Sequence, residues 1–241
     1  MISVIPVEGL PEIRAGDDLG AIIARSADLR AHDVVVVAQK AVSKAEGRIV
    51  RLADVEPSAR ARELGGPGTD LRQLEVVLAE TARVVRSRGG LVIAETRHGF
   101  VCASAGVDHS NAEPGTLILL PLDADASARG IRATLAGLTG LELAVIVTDS
   151  FGRPFRKGTT DIAIGVAGLA PLRDLRGTLD RSGEPLRSTQ VAVADEIAAA
   201  ADLLRSSKAD GLPVVVVRGL RLAGDGGASE LVMPPERDLF R

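Results

Sequence analysis

Asp149 and Ser150 follow the apolar run Ala144-Val145-Ile146-Val147-Thr148, and Phe151-Gly152-Arg153-Pro154-Phe155-Arg156-Lys157-Gly158-Thr159-Thr160-Asp161 comes directly after them. Acidic, basic and hydroxyl groups packed this closely at a strand end do not build a core. They suit a site that holds a divalent cation beside a phosphate. The Asp149 carboxylate and the Ser150 hydroxyl are hard oxygen ligands of the kind magnesium and manganese take. The same two residues also suit a solvated strand end, with Asp149 capping the next turn.

Lys157-Gly158-Thr159-Thr160 imitates a phosphate loop but fails its spacing. Five residues, not four, separate Gly152 from Gly158, and Lys157 precedes the second glycine instead of following it. The cations can still neutralise phosphate, and the backbone at Gly158 can approach a ligand closely. A second polar segment is Gly106-Val107-Asp108-His109-Ser110-Asn111. Asp108 there is a candidate metal ligand and Asn111 a candidate contact to a base or ribose. An Asx-type turn accounts for the same residues, and His109 reads as a surface histidine. A third is Gln39–Arg48, where Lys40, Lys44 and Arg48 recur at a spacing of four. On a helix they would share one basic face, and on a loop they would meet a phosphate or carboxylate; a solvated face is the alternative. Lys208-Ala209-Asp210-Gly211 is weak taken alone.

The elements that must position these groups are mixed. Short apolar strands are expected at Ile2–Pro6, Asp33–Ala38, Leu91–Ala94, Leu143–Thr148 and Val214–Arg218, with further apolar runs at Thr116–Leu120 and Asp161–Leu169. Phe100–Asn111 reads as strand plus turn. Helices are expected at Asp17–Leu29 (capped by Asp17 or Asp18), Pro57–Leu64, Asp70–Val85, Asp123–Leu138 and Ser188–Leu204. There is no regular βαβ repeat, and no Gly-x-Gly-x-x-Gly joins a strand to a helix, so a Rossmann fold is not expected. The pattern predicts an α+β fold with mixed sheets and flanking helices.

Composition narrows the function. Of 241 residues, 46% are hydrophobic, enough for a sizeable core, yet there are four Phe and no Trp or Tyr, so that core is aliphatic. Phe100, Phe151 and Phe155 lie near polar, glycine-rich segments; a planar ligand or a Phe lid over a loop would each explain this. The net charge is −3 with the signs interspersed, which excludes a nucleic-acid footprint. Cys102 is the sole cysteine, so no disulfide framework or cysteine-rich zinc site is expected. The N-terminus lacks a basic n-region, and no stretch reaches the roughly 18 apolar residues of a membrane span. A cytoplasmic protein is expected.

Val42-Ser43-Lys44-Ala45-Glu46-Gly47-Arg48, Gly106-Val107-Asp108-x-Ser110-Asn111, Thr148-Asp149-Ser150-Phe151-Gly152-Arg153-Pro154-x-Arg156-x-Gly158 and Ala194-Asp195-Glu196 together resemble the coenzyme F-420-0:L-glutamate ligases, or gamma-glutamyl ligases. The resemblance runs from Leu10 to the tail, and the Thr-Asp-Ser-Phe-Gly-Arg stretch is its most specific piece. Actinobacterial members carry an additional nitroreductase-like domain, so the chain resembles the stand-alone form or an isolated ligase domain. It would be one ligase domain over 1–241, an intertwined two-part fold with discontinuous subdomain boundaries, and not a P-loop protein.

The resemblance implies GTP-dependent addition of L-glutamate to the lactyl-phosphate carboxylate of the deazaflavin coenzyme F-420-0. An acyl phosphate would be the intermediate, and further gamma-linked glutamate could follow. It also implies magnesium or manganese, potassium as an activator, and a homodimer. By motif match, Asp108, Asp149 and Ser150 are the metal ligands. Leu10, Pro11, Glu12, Ile13, Lys44 and Asn111 are GTP contacts. Gln39 occupies a GTP-contacting position that is often a small hydroxyl residue. Ser206, Ser207, Lys208, Ala209, Asp210 and Gly211 match another nucleotide-contacting loop, in which the family usually has glycine at the position of Ser207. Arg153, Arg156 and Lys157 are assigned from charge alone, with Asp149, to the catalytic side, where they would bind phosphate or a substrate carboxylate. A metal-dependent nucleotide phosphotransferase or hydrolase, and a non-catalytic nucleotide-binding regulatory domain, are the competing readings. Retention of Asp108, Asp149 and Lys44 favours catalysis.

Overall fold

Val34-Val35-Val36-Val37 and Ala144-Val145-Ile146-Val147 carry no polar residue and therefore require cover on both faces. The computed structural model, which describes residues 1–205 and 211–239, pairs them in parallel inside a five-stranded sheet. In chain order the elements are β1 (Ser3–Pro6), α1 (Leu19–Ser26), β2 (Val34–Ala38), α2 (Gln39–Ala45), β3 (Ile49–Arg51), α3 (Ala59–Leu64), α4 (Leu71–Ala79), β4 (Thr81–Arg88), β5 (Leu91–Thr96) and β6 (Val101–Ala103). There follow β7 (Thr116–Ile118), α5 (Ala124–Thr139), β8 (Ala144–Gly152), β9 (Thr159–Ala167), β10 (Arg173–Asp174), β11 (Gln190–Val191), α6 (Val193–Asp202) and β12 (Val214–Arg218). The main sheet runs β1-β12-β2-β8-β9, with every neighbouring pair antiparallel except β2–β8.

Strand side chains alternate between faces, and the two cores follow that period. Val35, Val37, Val145, Val147, Val214 and Val216 pack on one face with residues of α1, α2 and α5. Val34, Val36, Ile146, Val215 and Val217 pack on the other, with α6. Each such valine contributes about 1.5 kcal/mol or more relative to exposure. A parallel pair cannot be joined by a tight turn. The crossover from β2 to β8 accordingly carries a third core, in which Leu74, Val76 and Val77 of α4 meet Val92 and Ala94 of β5 and Leu117 of β7. The α+β architecture is the one the sequence predicts. Among the described residues, no helix is long and apolar enough to cross a membrane.

Aspartates finish several ends. Asp18, not Asp17, caps α1 by accepting from Ala21 N at 3.0 Å, and Asp123 caps α5 through Ala126 N at 2.8 Å. The outer side of β9 is also met by side chains. Asp195 accepts from Ala163 N at 2.9 Å, Asp125 from Val166 N at 2.7 Å, and Asp225 from Gly168 N at 3.1 Å.

Three element boundaries differ from expectation. The helix expected over Asp70–Val85 stops at Ala79, where Thr81 Oγ1 donates back to Val77 O at 2.6 Å, and the chain turns into β4 to pair with β5. Val85, whose spacing from Leu71, Leu74, Val77 and Leu78 suggests one helical face, lies in that strand instead. The helix expected from Ser188 begins only at Val193, because Gln190–Val191 pair with β10. Most consequentially, β8 does not end at Thr148. It continues through Gly152 and pairs with β9 from Thr148↔Ala163 to Gly152↔Thr159.

Candidate active site

The parallel register places Ala38 beside Thr148, so β2 and β8 deliver their continuations to the same end of the sheet. In open α/β sheets that carboxyl end is where ligands are met. β2 passes straight into α2, which sets Lys40 there. β8 runs on as one arm of a hairpin and carries Asp149 and Ser150. A bulge between Val147 and Thr148 sits immediately before them and re-aims the side chains that follow. Asp108 arrives from the crossover, fixed by an isolated bridge in which Asp108 N donates to Ile118 O at 3.0 Å and Ile118 N to Asp108 O at 2.8 Å. The chain enters it through three successive left-handed residues, Ser104, Ala105 and Gly106.

Asp149 and Ser150 turn to opposite faces. On the α2 side, Lys40 Nζ lies 2.7 Å from Asp108 Oδ2 and donates to Ser110 Oγ. Ser110 N donates to Asp108 Oδ1 at 2.7 Å, so the Asx turn read in the sequence is present and coexists with the Lys40 pair. Burial alone would raise the Asp108 carboxyl, but Lys40 and the Ser110 donors outweigh it and hold it at about 2. Asp149 goes the other way. Burial pushes its carboxyl up to about 7, with Asp161 and Asp108 adding to the rise and the Ser150 N–H and Lys40 opposing it. Cys102, buried near Asp149, has its thiol pushed up to about 12 by burial first and Asp149 second.

On the opposite face, Ser150 stands across from Asp161 in the β8–β9 register. Ser150 Oγ donates to Asp161 Oδ1 at 2.6 Å and Thr148 Oγ1 to Asp161 Oδ2 at 2.9 Å. Arg205 completes the group, with Nη1 at 2.9 Å from Asp161 Oδ2. Thr148 and Asp161 stand in the stretch singled out from the sequence but carry no role there, and Arg205 is not singled out at all. The signal was there: Thr148 and Ser150 share one face with Asp161 across from them once the strand runs past Asp149, but ending it at Thr148 hid the alternation.

The remaining residues fall into distinct places. Glu12 and Lys44, distant in sequence, meet at 2.5 Å. Leu10 packs on the core beside them and Ile13 is buried, while Pro11 is exposed. Lys40, Lys44 and Arg48 do not form one basic face. Each takes its own carboxylate, Asp108, Glu12 and Glu80 respectively, because α2 ends at Ala45 and the turn at Gly47 swings Arg48 away. Gln39 is buried, donating to Ser43 Oγ at 2.7 Å and Leu119 O at 2.8 Å, with its Oε1 unpartnered. Asn111 is exposed in a left-handed conformation. Arg153, Arg156 and Lys157 occupy the exposed hairpin tip, where Arg153 Nη2 donates to Lys157 O at 2.8 Å. Gly211 is exposed, and Ser206, Ser207, Lys208, Ala209 and Asp210 lie outside the described residues. Asp195, part of the motif resemblance, accepts from the edge of β9 as described above.

Among the described residues no group of three or more His, Cys, Asp or Glu side chains converges as a metal cage. Asp108 pairs with Lys40, and Asp149 lies within electrostatic reach of both but is left without enough compensating charge. That donor set fits a small hard dication held by one or two carboxylates and completed by water and substrate phosphates.

The chain matches the F420-0:gamma-glutamyl ligase family over residues 9–219. It belongs to that family. It is 45% identical to the coenzyme F420:L-glutamate ligase of Methanothermobacter thermautotrophicus, an alignment covering 100% of this chain and 99% of that protein. It is 44% identical to the ligase of the same name from Methanopyrus kandleri, covering 100% and 97%. The one from Archaeoglobus fulgidus is 43% identical, covering 100% and 96%. This gamma-glutamyl ligase family member is an enzyme by descent, and its charged groups gather at the end of the sheet where catalysis is expected.

Proposed function

We propose that the protein is a GTP-dependent ligase that joins L-glutamate to the lactyl-phosphate carboxylate of coenzyme F420-0 through an acyl phosphate, and that it can add further gamma-linked glutamate. The gathering of Asp108, Asp149 and Lys40 where β2 ends beside Thr148 of β8 carries this reading, together with full-length similarity to named ligases. A carboxylate oxygen of F420-0 attacks the γ-phosphorus of GTP, the bond to the β–γ bridging oxygen breaks, and GDP leaves. The glutamate amine then attacks the acyl carbon, expelling phosphate and losing a proton.

Asp108 and Asp149 would hold magnesium or manganese, with Ser150 supplying an oxygen from the other strand face. The ion would neutralise phosphate oxygens. Lys40 steadies Asp108 and adds a fixed positive charge beside the same oxygens. Lys44, Glu12 and their neighbours Leu10, Pro11 and Ile13 would bind the nucleotide, with Asn111 on its base or ribose and Gln39 supporting the start of α2. The hairpin tip, with Arg153, Arg156 and Lys157, would grip the phosphodiester and carboxylates of the acceptor. In this reading the enzyme works as a cytoplasmic homodimer activated by potassium.

The deciding experiment incubates the protein with F420-0, glutamate, GTP and manganese and follows product mass. A glutamyl increment that requires GTP is expected. GTP hydrolysis without any increment would reject the ligase reading and favour a nucleotide hydrolase.

A further inference from the structure

Asp161 is 4% exposed and receives three donors at once. Ser150 Oγ takes its Oδ1 at 2.6 Å, while Thr148 Oγ1 and Arg205 Nη1 take its Oδ2, both at 2.9 Å. Arg205 Nη1 also donates to Thr148 Oγ1 at 2.8 Å, closing a triangle that leaves the carboxylate no freedom to rotate. The guanidinium is anchored in turn. Its Nη2 donates to Val36 O at 3.1 Å and Pro213 O at 3.2 Å, and its Nε to Leu212 O at 3.2 Å. Nε and Nη2 are thereby held by β2 and by the residues that lead into β12, and Nη1 is aimed at Thr148 and Asp161.

A serine hydroxyl has one proton and two lone pairs. With the proton committed to Asp161, the lone pairs of the exposed Ser150 turn away from the carboxylate. We infer that Asp161 and Arg205 form a positioning pair that fixes the Ser150 hydroxyl as an oxygen acceptor for the divalent cation. This rests on the metal reading given above. Carboxylates that orient a ligand in this way are worth roughly 10–100-fold in metal affinity.

A buried Arg–Asp pair could instead serve only to hold the sheet together, and the same sheet contains the comparison. At the far end of β2, Arg218 Nε and Nη2 grip Asp33 Oδ1 and Oδ2 at 2.9 and 2.8 Å, and Asp33 is 1% exposed. That pair touches none of the candidate site residues.

The test measures binding of Mn2+ to the full chain with GTP present, by electron paramagnetic resonance without acceptor or glutamate, alongside thermal unfolding. Asp161→Asn should weaken Mn2+ binding about 10-fold or more. Asp33→Asn should lower the melting temperature and leave Mn2+ binding unchanged. Arg205→Lys, which keeps the charge but loses the fork, should give an intermediate loss of affinity, and it carries the test if Asp161→Asn does not fold. A folded Asp161→Asn protein that binds Mn2+ within about twofold of wild type would overturn the inference, as would an equal loss in Asp33→Asn. Wild-type protein that binds no Mn2+ would reject the metal reading itself, and this inference with it.

Discussion

Ser150 donates its hydroxyl to Asp161 directly across the hairpin, whereas Asp149, one residue earlier, faces Lys40 and Asp108 on the other side of the sheet. The candidate site thus wraps the end of the sheet and does not lie on one face. The two halves can be tested separately.

Asp149→Asn removes the carboxylate that carries the least compensated charge. Turnover should fall on the order of a hundredfold or more, as when one preorganised charge-stabilising group is lost. The fold should persist, because the substitution relieves repulsion from Asp161 and Asp108. Product mass analysis and melting temperature together check this. Full activity in a correctly folded variant would refute the metal assignment.

Cys102 should be chemically silent in the folded protein. Its thiol is buried and pushed up to about 12, so little thiolate exists at neutral pH. Alkylation by iodoacetamide at mildly alkaline pH should be roughly a thousandfold slower than in denaturant. Comparable native and denatured rates would show that the wall between β6 and β8 opens readily.

Asp195 predicts a pH dependence of stability. Burial raises its carboxyl above the ordinary value of 3.8, and the Ala163 N–H opposes the rise. Because the folded-state value lies above the unfolded one, its contribution is fully present below the unfolded value and is lost as pH rises through the raised value. Asp195→Asn keeps an acceptor for Ala163 N and removes the titration. Urea unfolding across that window should therefore show a flatter profile for the variant, and an unchanged slope would reject the assignment.

Gly165 is a packing constraint. A Cβ there would lie 2.2 Å from Ala124 O, a backbone atom at the start of α5. Gly165→Ala should cost about 1–3 kcal/mol, or several degrees in melting temperature. A melting temperature equal to wild type would mean that α5 can shift away from β9 freely.

Much of this architecture was legible in the sequence. The apolar runs of β2, β8 and β12 were readable as strands, and an aspartate before α1 as its cap. Asp108, Asp149 and Lys44 stood out as charged residues in polar segments, and their expected roles came from the motif resemblance; the structure sets Asp108 against Lys40 and Lys44 against Glu12. What stayed hidden depended on pairing partners. β4 was masked because Val85 continues the helical spacing of Leu71, Leu74, Val77 and Leu78, and only pairing with β5 makes that stretch a strand. The Asp161–Arg205 pair was masked because its members are separated in sequence and meet only once β8, β9 and β12 are in register. Lys40 was visible as a cation, but its choice of Asp108 over solvent is set by the bridge to β7.

The carboxylates along the outer side of β9 have a consequence for how copies of this chain can associate. A free strand edge invites another chain to extend the sheet. Here three of the outward amides, those of Ala163, Val166 and Gly168, are already satisfied by Asp195, Asp125 and Asp225. An incoming strand would have to displace these carboxylates to reach the three amides. This stretch of the sheet edge is thereby blunted against β-addition by another chain.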